Sequence, residues 1–293
     1  MTLWQADFYR RPLLSPAGQP LWELLLCDET FSFTFGATCL QAEATAQWLQ
    51  DQLAIALAKT ETAPEAIAVF RPQCLSLIQT ACQPLGLAVT ATRYTPALQH
   101  WLRQRQQWYP TLANYSGEAY DALALERPPP LPLPENLWGD RWRFAAIAVR
   151  DLDGLIQEPM PILSLPPDLQ LGLASLTLVP GIVIDGGRQS MPLALWLQEA
   201  QPVSLNYISG SPDGLILEAG LVDRWIMTTF EDADMATAAQ TFAQRQQQSQ
   251  GLHFLLVRPD DSGITYTGLW LLQDPAFSPQ SAALKTQDQP NSG

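Results

Sequence analysis

Lysine is almost missing from this chain. Lys59 and Lys285 are its only lysines; the other 14 of its 16 basic residues are arginines. Imidazoles are as scarce, with His100 and His253 alone. The four cysteines, Cys27, Cys39, Cys74 and Cys82, form no C-x-x-C pair, so a zinc site of the usual Cys/His spacing cannot be written down. Buried free thiols are the expectation. No run of 18 or more apolar residues exists, which excludes a helical membrane span. The opening "MTLWQADFYRRP" lacks the basic-then-apolar order of a secretory signal, so a cytoplasmic location is expected. P-loop, GxGxxG, GxSxG and HExxH motifs are all missing, which removes most common soluble enzymes, and no cofactor or metal is expected.

Charged residues are only 15% of the chain and hydrophobic ones 47%, enough apolar material for packed cores. The length of 293 residues suggests two domains. The net charge of −13 argues against gripping nucleic acid by bulk electrostatics. It is uneven: residues 1–134 hold 8 basic and 11 acidic residues (−3), residues 135–293 hold 8 and 18 (−10). The proline-dense stretch "ERPPPLPLPENLWG" is read as a stiff linker over 126–137.

Before that linker, residues 1–125 begin with three strand-like runs: "WQADFYRRPL", "LWELLLCD" and "FSFTFGA", the last with Phe31, Phe33 and Phe35 at period two. Helix, strand, helix, strand and helix patterns follow, ending in "TPALQHWLRQRQQW" with proline in its first turn. The order βββαβαβα, with two helical crossovers, implies a meander extended by parallel strands, and a ribonuclease H-like α/β domain is expected. Residues 138–275 read as a second mixed α/β domain whose topology the pattern does not fix, and 276–293 as a disordered tail.

A ribonuclease H-like fold raises a two-metal nuclease reading, which needs several converging carboxylates. Asp7 lies on the first strand, where such an enzyme carries its first acid, but "AIAVFRP" ends in Arg71 and Glu43 sits about a turn early. Asp7 is therefore expected to pair with an arginine. "DGG" at 185–187 reads as a chain-reversing turn rather than an anion site. The third helix is more informative. Arg93, Tyr94, Trp101, Arg103, Arg105, Trp108 and Tyr109 fall in seventeen residues, with Trp101 and Trp108 on one face and Arg103 and Arg105 expected to point elsewhere. That is either core tryptophans beneath a solvated face, or an aromatic and guanidinium platform on which unpaired bases stack.

With "ADFYRRPL" (6–13), "GQPLWELLLCD" (18–28), "VFRPQCLSLIQTACQPLG" (69–86), "WLRQRQQWYP" (101–110), "LPENLWGDRWRF" (133–144) and "GLWLLQD" (268–274), the chain resembles the Tab/Atab family of RNA-binding proteins of cyanobacteria and plastids. The resemblance spans nearly the whole chain to Asp274. It implies a non-enzymatic protein that binds A/U-rich single-stranded RNA and supports translation of photosystem subunit messages, with the ribosome or photosystem subunits as further partners. It also implies a functionally important Trp-Leu-Leu signature, here Trp270, Leu271 and Leu272. The candidate RNA-binding residues are Arg71, Arg93, Tyr94, Arg103, Arg105 and Tyr109. A photosystem assembly factor that binds nascent subunits, and a divergent metal-dependent nuclease, are the alternatives. Within the signature, strand alternation expects Trp270 and Leu272 inward and Leu271 exposed.

Overall fold

The computed structural model describes residues 2–60, 62–166 and 172–274. The expected disordered tail, 276–293, lies outside the described residues. The chain separates into two compact units, Met1–Glu126 and Arg127–Gly293, and among the described residues holds six α-helices and three mixed sheets.

The first unit opens with β1 (Leu3–Leu14), β2 (Pro20–Asp28) and β3 (Thr34–Leu40), paired antiparallel in sequence. Then come α1 (Ala46–Leu57), β4 (Ala66–Val69), α2 (Pro72–Cys82), β5 (Ala88–Ala91) and α3 (Pro96–Trp108). β4 joins β1 in parallel and β5 joins β4 in parallel, giving the sheet order β3-β2-β1-β4-β5. β2 shows why helices cover both faces. Leu24 and Leu26 enter a core shared with α1 and α2, while Leu25 and Cys27 enter a second core beneath α3. Thr45 caps α1 by accepting from the Trp48 N–H, and Gly86, at φ 68°, ends the α2 segment in the left-handed region. Phe31 departs from the expected strand: β3 starts at Thr34, and Phe31 sits in the β2–β3 turn with φ 59°.

In the second unit, β6 (Leu131–Pro132) and β7 (Arg141–Ala148) precede α4 (Val149–Gln157), β8 (Ile162–Ser164) and β9 (Leu178–Asp185). α5 (Ser190–Ala200), β10 (Pro202–Ile208), β11 (Asp213–Ala219), β12 (Asp223–Phe230), α6 (Ala233–Gln248), β13 (Leu252–Arg258) and β14 (Gly268–Gln273) complete it. One sheet runs β10-β11-β12-β6 and the other β7-β9-β13-β14-β8. The stretch expected to be a linker is part of this unit. Its Leu131 and Pro132 pair with β12, and Leu133 and Leu137 are buried in the core, so proline density there marks an extended packed segment.

β14 is internal to its sheet, between β13 and β8. Trp270 and Leu272 enter the core shared with α5, α6 and the second sheet; Leu271 enters the opposite core with Leu152 of α4, Val183 and Phe254. The expectation that Leu271 is exposed is corrected: it is 2% exposed, because α4 covers that face. α4 follows β7 directly and takes up "VRDL" in its first turn. Gly268 makes room for Trp270, since a Cβ there would come within 2.7 Å of the indole.

Candidate nucleic-acid interface

α3 is fixed by its inner face. Ala97, Leu98 and Leu102 are buried against Leu25, Cys27 and Phe70, and the Leu98 N–H donates to Gln5 Oε1 at 2.9 Å. With that stripe inward, residues 101, 105 and 108 form a neighbouring stripe at i, i+4 and i+7. The Arg105 guanidinium lies between two indoles, its central carbon 5.4 Å from the Trp101 ring centre and 4.7 Å from that of Trp108. This corrects the expectation that Arg105 points away from the tryptophans. Arg105 Nη2 donates to Glu23 Oε1 at 2.7 Å, so its charge is spent within the unit. Trp108 remains 44% exposed.

The aromatic surface extends beyond α3. Phe31 meets His100 and Trp101 edge-on, with centroids 6.0 and 6.4 Å apart. Its positive φ is unfavourable for a bulky residue, and the turn that imposes it is held by Thr30 and Ser32 donating to Asp28. Arg103 has no ion-pair partner among the described residues, and partial burial lowers its pKa from the usual value. Tyr94 is exposed and Arg93 half-buried in the segment leading into α3. The surface therefore offers Trp108, Phe31, His100, Tyr94 and Arg103, backed by a neutralised Arg105, all within the first unit.

Two expected contact residues lie beneath it. Arg71 is 1% exposed and Tyr109 0% exposed, so neither can meet RNA at the surface. Arg71 Nε donates to Asp7 Oδ1 and Arg11 Nη2 to Asp7 Oδ2, both at 2.8 Å. Arg71 also donates to the carbonyls of Ala122 and Ala124 and lies 4.1 Å from the Tyr9 ring centre. Arg11 bridges onward to Glu23, which accepts from Tyr109 and Arg105 as well. Burial pushes the Tyr109 phenol up, keeping it a donor. Asp7 thus pairs with two arginines, as its missing acidic companion implied. Glu43 instead accepts from the Leu40 N–H, and among the described residues no group of three or more His, Cys, Asp or Glu could hold a metal ion. The four cysteines are buried; desolvation pushes Cys27 and Cys74 up to about 12.

Glu23 and Phe31 are the residues that sequence reasoning missed. "WELLLC" places one acid in an apolar strand, which is a signal for a buried partner, whereas nothing in "FSFTFGA" separates a turn phenylalanine from a strand one.

Residues 3–105 match the family described as "RNA-binding protein Tab2/Atab2 N terminal", and residues 120–273 its C-terminal domain. The maize "Protein TAB2 homolog, chloroplastic" is 31% identical over 281 residues, covering 92% of this chain and 71% of that one. Its namesake from Arabidopsis thaliana is 30% identical over 280 residues, covering 92% and 74%. A simian T-cell lymphotropic virus intasome structure aligns with a TM-score of 0.28 at 17% identity, over 38% of this chain and 43% of that chain, too loose to carry an argument.

Proposed function

This chain belongs to the RNA-binding Tab2/Atab2 family, and from that premise we propose that it is a non-enzymatic factor that binds single-stranded RNA on the outer face of α3. The observation that carries the reading is Arg105 clamped between Trp101 and Trp108 and anchored to Glu23. A fixed, half-exposed indole beside an arginine without an ion-pair partner offers unpaired bases a stacking surface and phosphate one cation. The bases stack on Trp108 and Phe31, and the backbone meets Arg103.

In this reading the strand order β3-β2-β1-β4-β5 is a ribonuclease H-like scaffold, with Arg71 where a nuclease strand carries an acid. Asp7, neutralised by Arg11 and Arg71, then serves structure rather than metal binding. The biological role follows the family: translation of photosystem subunit messages through A/U-rich segments, in the cytoplasm of a photosynthetic cell, with the ribosome or photosystem subunits as further partners. Titration with an A/U-rich oligonucleotide at two salt concentrations tests it. Binding with a shallow salt dependence is expected, since few cations contact phosphate. An oligonucleotide that does not bind at either concentration overturns the reading, and cleavage of it in Mg²⁺ or Mn²⁺ overturns the non-enzymatic part.

A further inference from the structure

The second unit contains a cleft that the α3 surface does not explain. Its volume is about 510 Å³, within the ~300–1,000 Å³ usual for ligand pockets. It opens between the two sheets, with Ile182 and Ile184 of β9 on one wall and Leu215 and Ile226 on the other. The interior is apolar. Polar groups gather at Thr228, Thr229 and Arg141.

The segment "LPENLWGD" builds the rim. A short 3-10 turn over Glu135–Leu137 buries Leu137, and Gly139 presses against β9 so closely that a Cβ would stand 2.7 Å from Ile184 Cγ2. Between them Trp138 is held 58% exposed, yet its orientation is fixed by an Nε1 donation to the Leu133 carbonyl at 3.1 Å. A large indole that is exposed but anchored costs little ordering when something stacks on it. Arg141 is fixed in the same way. Its Nε and Nη2 donate to Asp185 and Nη2 also to Asp261, while no described group accepts from its Nη1. Asp185 is shared with Arg143 and Arg258, so three guanidiniums face two carboxylates. Among the described residues Thr228 Oγ1 reaches only the Thr229 carbonyl, at 3.5 Å, and keeps most of its bonding capacity.

We propose that this cleft takes one unstacked nucleotide of bound RNA, its base entering beside Trp138 and its phosphate meeting Arg141 Nη1. An apolar slot, a fixed indole, free hydroxyls and one planar cation match a flat heterocycle carrying a phosphate. The inference rests on the RNA-binding reading and adds a second contact, in the more acidic part of the chain, that reads a base rather than charge.

The test uses the full chain and an A/U-rich oligonucleotide carrying 4-thiouridine, with photocrosslinks mapped by peptide mass. Crosslinks at Trp138 or Trp142 are expected. Trp138→Ala, and Thr228→Trp, which fills the slot, should each weaken binding roughly ten-fold while melting as the parent does. Arg141→Gln should leave the crosslink but weaken binding, since Arg143 and Arg258 still hold Asp185. Crosslinks confined to α3 peptides, with Trp138→Ala and Thr228→Trp binding normally, overturn the cleft and leave the α3 reading intact. Crosslinks at the cleft with Trp108→Ala binding normally do the reverse. Uridine monophosphate that displaces the cleft crosslink as effectively as the oligonucleotide overturns assignment to an RNA strand.

Discussion

Arg71, the residue that caps α2 just beyond β4, meets Asp7 of the neighbouring β1 through a 2.8 Å hydrogen bond, with both side chains withdrawn from water. Neither charge is affordable alone at that depth. Asp7 needs both of its arginines, and Arg71 needs the Ala122 and Ala124 carbonyls as well. The network therefore ties the chain after α3 back to β1.

Arg71→Met removes one side of this arrangement and leaves the carboxylate with Arg11 alone. It should lower unfolding free energy by ~3–5 kcal/mol, measured by urea titration. An unchanged midpoint would mean that water reaches Asp7 and the pair is not buried in solution.

On the α3 surface, two variants should separate stacking from charge. Trp108→Ala should weaken RNA binding by ~1–3 kcal/mol per base that stacks there, with the salt slope unchanged. Arg103→Ala should reduce the slope of log affinity against log salt by roughly one. If Trp108→Ala alters only the slope, the assignment of roles is reversed.

The Trp-Leu-Leu signature is a core strand, and its variants should report stability. Leu271→Ala should cost ~2–5 kcal/mol and Trp270→Ala ~3–5 kcal/mol. Chemical denaturation checks both, and a Leu271→Ala protein as stable as the parent would contradict packing beneath α4.

His253 makes the second unit sensitive to acid. It is buried, and desolvation lowers its pKa from 6.5 to about 4. Its Nε2 accepts from the Leu205 N–H at 2.8 Å, which assigns the proton to Nδ1, facing the Gly251 carbonyl. The unfolded chain binds this proton more readily than the folded one. The resulting stability is full above pH ~6.5 and is lost as pH falls toward about 4, by roughly 3 kcal/mol. Urea midpoints at pH 7 and pH 5 should differ in the parent and differ less in His253→Gln.

The order of elements in the first unit was legible because each carries its own signal: a short apolar run in β2, proline at the start of α3, glycine after α2. The stripe on α3 was half legible. Seven-residue spacing revealed Trp101 and Trp108, but Arg105, four residues from one and three from the other, belongs to the same stripe. Burial of Arg71 and Tyr109 was hidden, because it depends on Ala122 and Ala124 returning from the end of the unit. Leu271 was misread for a related reason: alternation says that it faces away from Trp270, not whether a helix covers that side. Proline density misled at 126–137, since it reports an extended backbone and not its exposure.

The clamp on Arg105 also bears on how long a complex lasts. Trp101 and Trp108 are braced by a guanidinium that Glu23 holds in place, so their orientation is set before any base arrives. Such preorganisation spares the ordering of each side chain, ~0.5–1.5 kcal/mol apiece. An acidic chain gains little from electrostatic steering, so encounters with RNA are slow. The rigid indoles act after the encounter instead, through the dissociation rate, and residence time becomes the quantity by which this surface favours one strand over another.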